Sequence, residues 1–571
     1  MINVVPVWQQ GYRGTFIRVR INDEGVANNH PEISRRFDIS ASCAQYYPPN
    51  PISDHGHGTI VASIVAGEAN NSLCAAGIAP GAILSSCYAF GGSDTFLATK
   101  IDQMDISQNS FGIDACQLTS QFENARFRDL QQVQRGCPFH YYDPSEINPC
   151  AVCDFSIANP QSFASVCKTA IIYHCSNHYE HDQAGCVEFL DLFIVDGRCD
   201  YNALTPTQQA ALTTGITQGR NGKGIIYVWA AGNMFEAGED TNFEGYLNTR
   251  FTISVGAVGK NALHASYSTS GAALFLTAPG GDFETSLNFV GADAATGKCL
   301  DAGMGTSYAA PIVSGVVALM LEANPTLGWR DVQGILASTS QKITIDPTDT
   351  NWVINSAGYY HSYFYGFGIV DALAAVTAAE QWTNYPPEAM RIADSGILNQ
   401  PLRDSSHVSA ISTVRIPPEF KTSSGEVMYF IAESVGVYLS IHSFSRGELS
   451  VVLTSPTGTE SIISPGNRPE NTQLEANETW KLLTVRSWGE VANGDWTLNI
   501  TDLRPGYFFS CADYPWSVVD QSGTTLDCLA VEGDYMCSGG QINQTLFANG
   551  ANNNFLTLRD STSGQTMVRT N

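Results

Sequence analysis

Four residues far apart in the chain have the types that opening an amide bond requires: Asp23, His57, Asn233 and Ser307. A serine hydroxyl is a weak nucleophile until a histidine removes its proton. The imidazole in turn needs a carboxylate to fix its tautomer and stabilise its charged form. An asparagine amide can donate to the oxyanion of a tetrahedral intermediate. Each of the four sits in a short turn next to an apolar run, in Asp23-Glu24-Gly25, His57-Gly58-Thr59, Ala231-Gly232-Asn233 and Gly305-Thr306-Ser307. One such turn alone is ordinary, since a serine opening an apolar helix is more often a cap than a nucleophile. Together they point to acyl transfer.

The elements that must hold these residues can be read from periodicity. Ser307 leads into an apolar stretch with no charge until Glu322. That stretch is too short to span a bilayer and suits a helix buried on every side. Ser307 would lie in its first turn, where free N–H groups and the positive dipole end favour developing negative charge. Phe16 to Ile21 is a candidate strand that leaves Asp23 at its carboxyl end, the edge where α/β sheets place chemistry. Arg18 and Arg20 interrupt the unbroken apolar run expected of a parallel strand covered on both faces. Further strands are expected over residues 77–84, 105–110, 224–233 and 251–258, alternating with helical segments. The fold class predicted is therefore α/β, a mostly parallel sheet flanked by helices.

Two regions break that alternation. Residues 116–199 hold eight of the chain's fifteen cysteines and read as a surface insertion. Their spacings match no common zinc finger or ribbon, so disulfides are expected there. After Trp382, Asn384-Tyr385-Pro386-Pro387 reads as a linker, and short β-type runs continue to about Pro505. That texture predicts an all-β sandwich or jelly roll. The expected organisation is a catalytic domain over 1–382, a β-domain over 383–508 and a Cys-containing, partly disordered tail over 509–571.

The chain has 29 basic and 55 acidic side chains, a formal net charge of −26. This argues against nucleic acid or an anionic membrane surface as a partner and suits basic or neutral ligands. The cysteines, with sequons at Asn70, Asn477, Asn499 and Asn543, indicate an oxidising, secretory or extracellular compartment. No signal peptide or membrane-spanning stretch is recognisable. The expectation is a mature or truncated piece of a longer precursor.

The order Asp, His, Ser on an α/β alternation resembles that of subtilisin-type hydrolases. The four turns, with Ser307 extended to Tyr308-Ala309-Ala310-Pro311, are similar to those of the subtilase family. Trp329-Arg330-Asp331-Val332-Gln333 and Tyr365-Gly366-Phe367-Gly368-Ile369-Val370-Asp371 narrow the resemblance to the kexin and furin branch, the proprotein convertases. Ser455-Pro456-Thr457-Gly458, Ser487-Trp488-Gly489-Glu490 and Gly494-Asp495-Trp496 resemble the P (Homo B) domain that follows the protease in that branch. That domain is expected to stabilise the catalytic domain by packing on it.

The resemblance implies a monomeric serine endopeptidase that cuts protein substrates after paired basic residues in the secretory pathway, in the Golgi or endosomal lumen, or outside the cell. It assigns Asp23, His57, Ser307 and Asn233 to catalysis. Glu24 and Asp54 match family carboxylates that receive the second basic side chain, and Glu244 matches an acid near the floor of the pocket for the residue before the cut. Phe111-Gly112-Ile113-Asp114 stands where the family has Trp-Gly-Pro, with Asp114 one residue short of the main pocket aspartate. Calcium is implied at a site made by Glu32, Asn71 and the backbone oxygens of Glu68 and Leu73. Asp240 resembles a ligand of a second site, although Thr269 stands where the branch has an acid. Two other readings fit the same residues less fully: a broad-specificity secreted subtilase, and an inactive extracellular binding protein.

Overall fold

The computed structural model describes residues 1–43, 56–90, 94–112, 201–282, 289–343, 351–398, 409–417, 429–441, 446–466 and 479–503, with a few short strand segments elsewhere. Its larger part is a six-stranded parallel sheet in the order β2-β1-β3-β4-β5-β6. The strands are β1 (Arg18–Asp23), β2 (Ile83–Tyr88), β3 (Ile106–Asn109), β4 (Ile226–Ala230), β5 (Thr252–Val258) and β6 (Leu276–Pro279). Every residue of β3, β4 and β5 is buried, as expected when helices cover both faces of a parallel sheet. The strand expected over 77–84 begins later, at Ile83, because Pro80-Gly81 breaks the chain and the Gly77 N–H turns back to the Gly67 carbonyl.

The two arginines of β1 have separate fates. Arg18 reaches the sheet's amino-terminal rim, where its Nε is 3.2 Å from Asp105. Arg20 is fully buried and donates to the carbonyl oxygens of Ala41, Thr99 and Lys100. Burial pushes its pKa down to about 10, so it stays charged at neutral pH. Two segments, one before β2 and one after it, supply the acceptors that make this burial tolerable.

Among the described residues six helices accompany the sheet: α1 (Val4–Gln9), α2 (His57–Ala66), α3 (Pro206–Gly222), α4 (Thr306–Ala323), α5 (Trp329–Thr339) and α6 (Ala372–Gln381). Helix α4 lies across β3 to β6 and against α2 and α6. Among the described residues it alone is long and apolar enough to cross a membrane, and 78% of that window is buried inside the molecule. The sequence pattern makes this stretch too short to span a bilayer, whereas the helix runs 18 residues because it continues through Glu322 and Ala323; its burial is that of the core helix expected. Disulfides Cys43–Cys87 and Cys74–Cys299 tie loops to the sheet and to the hairpin of β7 (Phe289–Asp293) and β8 (Lys298–Ala302).

The ends of the Cys-rich insertion meet, since Cys116–Leu118 pairs antiparallel with Gly197–Cys199. The residues between them lie outside the described part, as do its expected disulfides. The carboxy-terminal region is all-β, as expected. Strands β9 (Ser409–Ile416), β11 (Leu449–Thr454), β12 (Glu460–Pro465) and β14 (Gly494–Asp502) form an antiparallel sheet in the order β9-β14-β11-β12. A separate pair joins β10 (Val435–Leu439) to β13 (Trp480–Thr484).

This β region docks tightly on the α/β part. Asn242, wholly buried, donates to the carbonyls of Ile463 and Leu483 and accepts from the Leu483 N–H. Asn355 donates to the carbonyls of Arg486 and Trp488. The Trp488 ring meets both Phe275 and Phe367 edge-to-face, closing a triangle with those two rings.

Candidate active site

The chain leaves β1 toward β2 on one side and reaches β3 on the other, so the carboxyl ends of β1 and β3 border a topological switch point. Open α/β sheets bind ligands there. Asp23 is the last residue of β1, and Ser110 directly follows β3.

Helix α2 brings His57 to that edge. Its amino terminus can approach β1 because residue 58 is glycine: a Cβ there would lie 2.3 Å from the Gly25 carbonyl oxygen and 2.8 Å from Asp23 Cβ. The His57 backbone N–H, unsatisfied within the helix, donates to Glu24 Oε1 at 2.6 Å. The imidazole Nδ1 is 3.0 Å from both Asp23 carboxylate oxygens. Asp23 is almost fully buried, whereas the His57 side chain is 32% exposed and so reaches the cleft. Burial pushes the imidazole pKa down, but the charge and hydrogen bond of Asp23 and the charge of Glu24 outweigh it, leaving the pKa raised.

Ser307 lies in the first turn of α4, as expected. Pro311, four residues on, has no N–H to offer the Ser307 carbonyl. The Ser110 hydroxyl takes that role, donating to the Ser307 carbonyl at 2.7 Å, while Ser307 Oγ donates to the Ser110 carbonyl at 3.2 Å. This reciprocal pair fixes the serine against the end of β3. One turn further along, Ser314 Oγ donates to Gln108 Oε1, adding a buried tie between α4 and β3. In the resting structure the hydroxyl is thus bonded to Ser110, with no hydrogen bond to His57.

Asn233 is oriented through its oxygen. Asn233 Oδ1 accepts from the Thr306 N–H and the Thr306 hydroxyl, both at 2.9 Å. Its Nδ2 is thereby turned outward. A Cβ built on Gly305 would stand 3.7 Å from Asn233 Nδ2 and 3.7 Å from the Ser307 backbone nitrogen. Two N–H donors therefore flank one small space beside the serine, a geometry able to hold a developing oxyanion.

A cleft of about 180 Å³ runs from Ser307 past Asn233 and Phe111 to two buried carboxylates, Glu239 and Glu244. Glu244 Oε2 lies against Gly112, where a Cβ would come within 2.7 Å. Glu239 was not among the predicted residues. Its Oε2 accepts from Thr269 Oγ1 at 2.7 Å. Asp240, expected as a ligand of a second calcium site, caps the Thr241–Phe243 turn by accepting from Asn242 N. The pair Glu239-Asp240 offers two adjacent carboxylates, and only the turn's geometry decides which one faces the cleft. Asp54 and Asp114 lie outside the described residues.

The proposed cation site was tested on its donors. Asn71 Nδ2 donates to Glu32 Oε1 at 2.7 Å, and Asn71 Oδ1 accepts from Leu73 N at 3.0 Å. The second oxygens of Glu32 and Glu68 are buried without a hydrogen-bond partner. Burial and the charge of Glu68 raise the Glu32 pKa against the opposing pull of Asn71. Two orphaned carboxylate oxygens on neighbouring segments fit a hard cation. No group of three His, Cys, Asp or Glu side chains placed to hold a metal ion occurs among the described residues, so remaining donors would be amide and backbone oxygens.

Comparison with known proteins agrees with this geometry. The subtilase family (Peptidase S8) matches residues 14–368, so the chain belongs to that family. The proprotein convertase P-domain matches residues 432–509, which places the chain in the branch that joins the two domains. Human proprotein convertase subtilisin/kexin type 6 is 31% identical over 511 residues, covering 88% of this chain and 44% of that protein. Human proprotein convertase subtilisin/kexin type 5 is 29% identical over 514 residues, covering 88% of this chain and 23% of that one. The chain thus spans less than half the length of these curated relatives. The crystal structure of the serine protease of Aeromonas sobria shares the fold, with a TM-score of 0.63, 19% identity, and coverage of 87% of this chain and 83% of that one.

Proposed function

We propose that the chain is a serine endopeptidase that cuts protein substrates after basic residues, with paired basic sites preferred, as in proprotein processing. Ser307 Oγ attacks the carbonyl carbon while His57 Nε2 takes the hydroxyl proton. Asp23 holds His57 Nδ1–H and stabilises the imidazolium. The oxyanion accepts from the Ser307 N–H and Asn233 Nδ2. His57 then hands the proton to the leaving amine, and water releases the acyl group by the same steps in reverse.

The single observation that carries this reading is the shared cleft of Ser307, Asn233 and the buried carboxylate Glu244. A guanidinium or ammonium taken out of water needs such a partner. Glu24 and Asp54 are assigned to the preceding basic side chain. Glu24 would serve it while also capping α2. Calcium would be held by Glu32, Glu68, Asn71 and the Leu73 carbonyl. When bound it supplies charge compensation that keeps the loop after α2 ordered. The two disulfides support a secretory or extracellular setting.

The test is a fluorogenic peptide series carrying Lys-Arg or Arg-Arg, against Phe or Leu, before the cut. The basic peptides are expected to be preferred, and Glu244→Gln to lose about 2–5 kcal/mol of transition-state stabilisation on them. Equal turnover of both sets would reduce the reading to a broad-specificity subtilase. Ser307→Ala with undiminished turnover would end it altogether.

A further inference from the structure

Resting on the peptidase reading, we propose that Gln108 is a positioning residue for the nucleophile, its buried amide directing the Ser110 hydroxyl onto the Ser307 carbonyl and so setting the first turn of α4 for attack. Strand β3 is unusually polar for its place. It lies between β1 and β4, yet three of its four residues are Ser107, Gln108 and Asn109, all buried. Side chains two apart share one face of a strand. Ser107 and Asn109 both accept from Asn22 Nδ2 of β1. Gln108 and Ser110, in the alternate positions, meet α4.

There they close a ring with the helix. Ser314 Oγ donates to Gln108 Oε1, Gln108 Nε2 donates to Ser110 Oγ at 2.8 Å, and Ser110 Oγ donates to the Ser307 carbonyl at 2.7 Å. Ser307 and Ser314 are about two turns apart on α4, which completes the ring. A hydroxyl carries one proton. Because Gln108 meets Ser110 Oγ with a donor, that proton turns away from the amide and onto the carbonyl that Pro311 deprives of its helical N–H.

An apolar pair at 108 and 314 would fill the same space with no polar atom to satisfy. What the polar pair adds is direction. Both side chains are fully buried and neither lines the cleft, so they reach the chemistry through Ser110. The carbonyl held there belongs to the residue whose Oγ attacks and whose N–H faces the oxyanion space. A displacement of about 1 Å in such a turn costs about a hundredfold in rate.

Gln108→Glu keeps the shape of the side chain and replaces the Nε2 donor with a carboxylate oxygen, so the Ser110 hydroxyl is drawn to it and away from Ser307. On a Lys-Arg peptide, kcat per fluorophosphonate-titrated site is expected to fall about tenfold to a hundredfold, with KM within about twofold, because the cleft keeps its lining. Ser110→Ala should lose as much. Adding Gln108→Glu to it should cost little more, since the amide then has no hydroxyl to direct. Ser314→Ala suits a helix and buries no charge, and it carries the test if the glutamate variant does not fold. It frees the other end of the amide and should lower kcat by about threefold or more, again without raising KM. Undiminished kcat in either folded variant, losses that multiply when Gln108→Glu is combined with Ser110→Ala, or a change in KM alone would overturn the proposal. An unmodified chain that neither takes up the fluorophosphonate nor cuts any peptide would instead overturn the peptidase reading.

Discussion

The two largest sheets among the described residues bury their residues in different ways. In the parallel sheet, β4 and β5 are buried along their whole length, while β11 of the P domain alternates buried and half-buried positions. A sheet covered on both faces has no side-chain surface left for a substrate. Its chemistry is confined to strand ends and to the helix termini beside them. The antiparallel sheet has a free face, yet what it brings to the α/β part is packing and backbone acceptors, through Asn242, Asn355 and Trp488. On the proposed reading, one domain holds the reacting groups and the other braces it. The clamp at Asn242 lies in the same loop as Glu239 and Glu244, so the brace reaches the cleft floor.

If the division is real, rate and stability should separate by domain. The largest effect is expected for Asp23→Asn, which leaves the fold intact and lowers kcat by about 10,000-fold. In the unmodified enzyme kcat/KM should fall with acid as His57 protonates, at a pH above the ordinary imidazole value of 6.5, because Asp23 and Glu24 favour the charged ring. Asp23→Asn removes the carboxylate charge and should move that limb to lower pH. A pH–rate profile checks both, and an unmoved limb would detach Asp23 from the histidine.

Trp488→Ala should do the reverse. The ring is 2% exposed and packs edge-to-face on the touching pair Phe275 and Phe367. Its loss is expected to lower stability by about 3–5 kcal/mol in denaturant unfolding, with kcat on surviving folded enzyme little changed. A large drop in kcat without a drop in stability would erase the distinction between brace and site.

The smallest effect concerns His361, fully buried at the junction and donating through Nε2 to the Leu274 carbonyl. Burial and the nearby Arg486 cation push its pKa down to about 3. The unfolded chain therefore takes up this proton first. Stability is unaffected by this group above about pH 6.5 and is lost as pH falls from there toward 3. His361→Gln, which can still donate to Leu274, should flatten the fall in Tm between pH 7 and 5. An identical slope in both proteins would exclude this residue as a source of acid sensitivity.

Much of the site was legible because each turn combines a polar functional residue with glycines beside an apolar run. Gly58 shows why the pattern exists, since any larger residue would collide with the end of β1. The alternation of apolar runs likewise announced a covered parallel sheet. Other features had no local signature. Arg20 looked misplaced until two distant segments supplied three carbonyl acceptors, Ala41 from one and Thr99 with Lys100 from the other. Glu239, which lines the cleft, had no signal in the sequence, because a carboxylate on an irregular turn follows no period.

The chain's own order of residues determined which groups could react, which segments were strands or helices, and that a second β-rich unit follows the first. Those are properties of neighbours along the backbone, where sterics and solvent contact act locally. Tertiary structure alone decided that Ser110 replaces the helical partner denied by Pro311, that Tyr308 rests against His57, and that Asn242 links the cleft loop to the P domain. Each of these joins residues tens to hundreds of positions apart. Their meeting depends on strand register and on the packing of whole elements, which no short window of sequence contains.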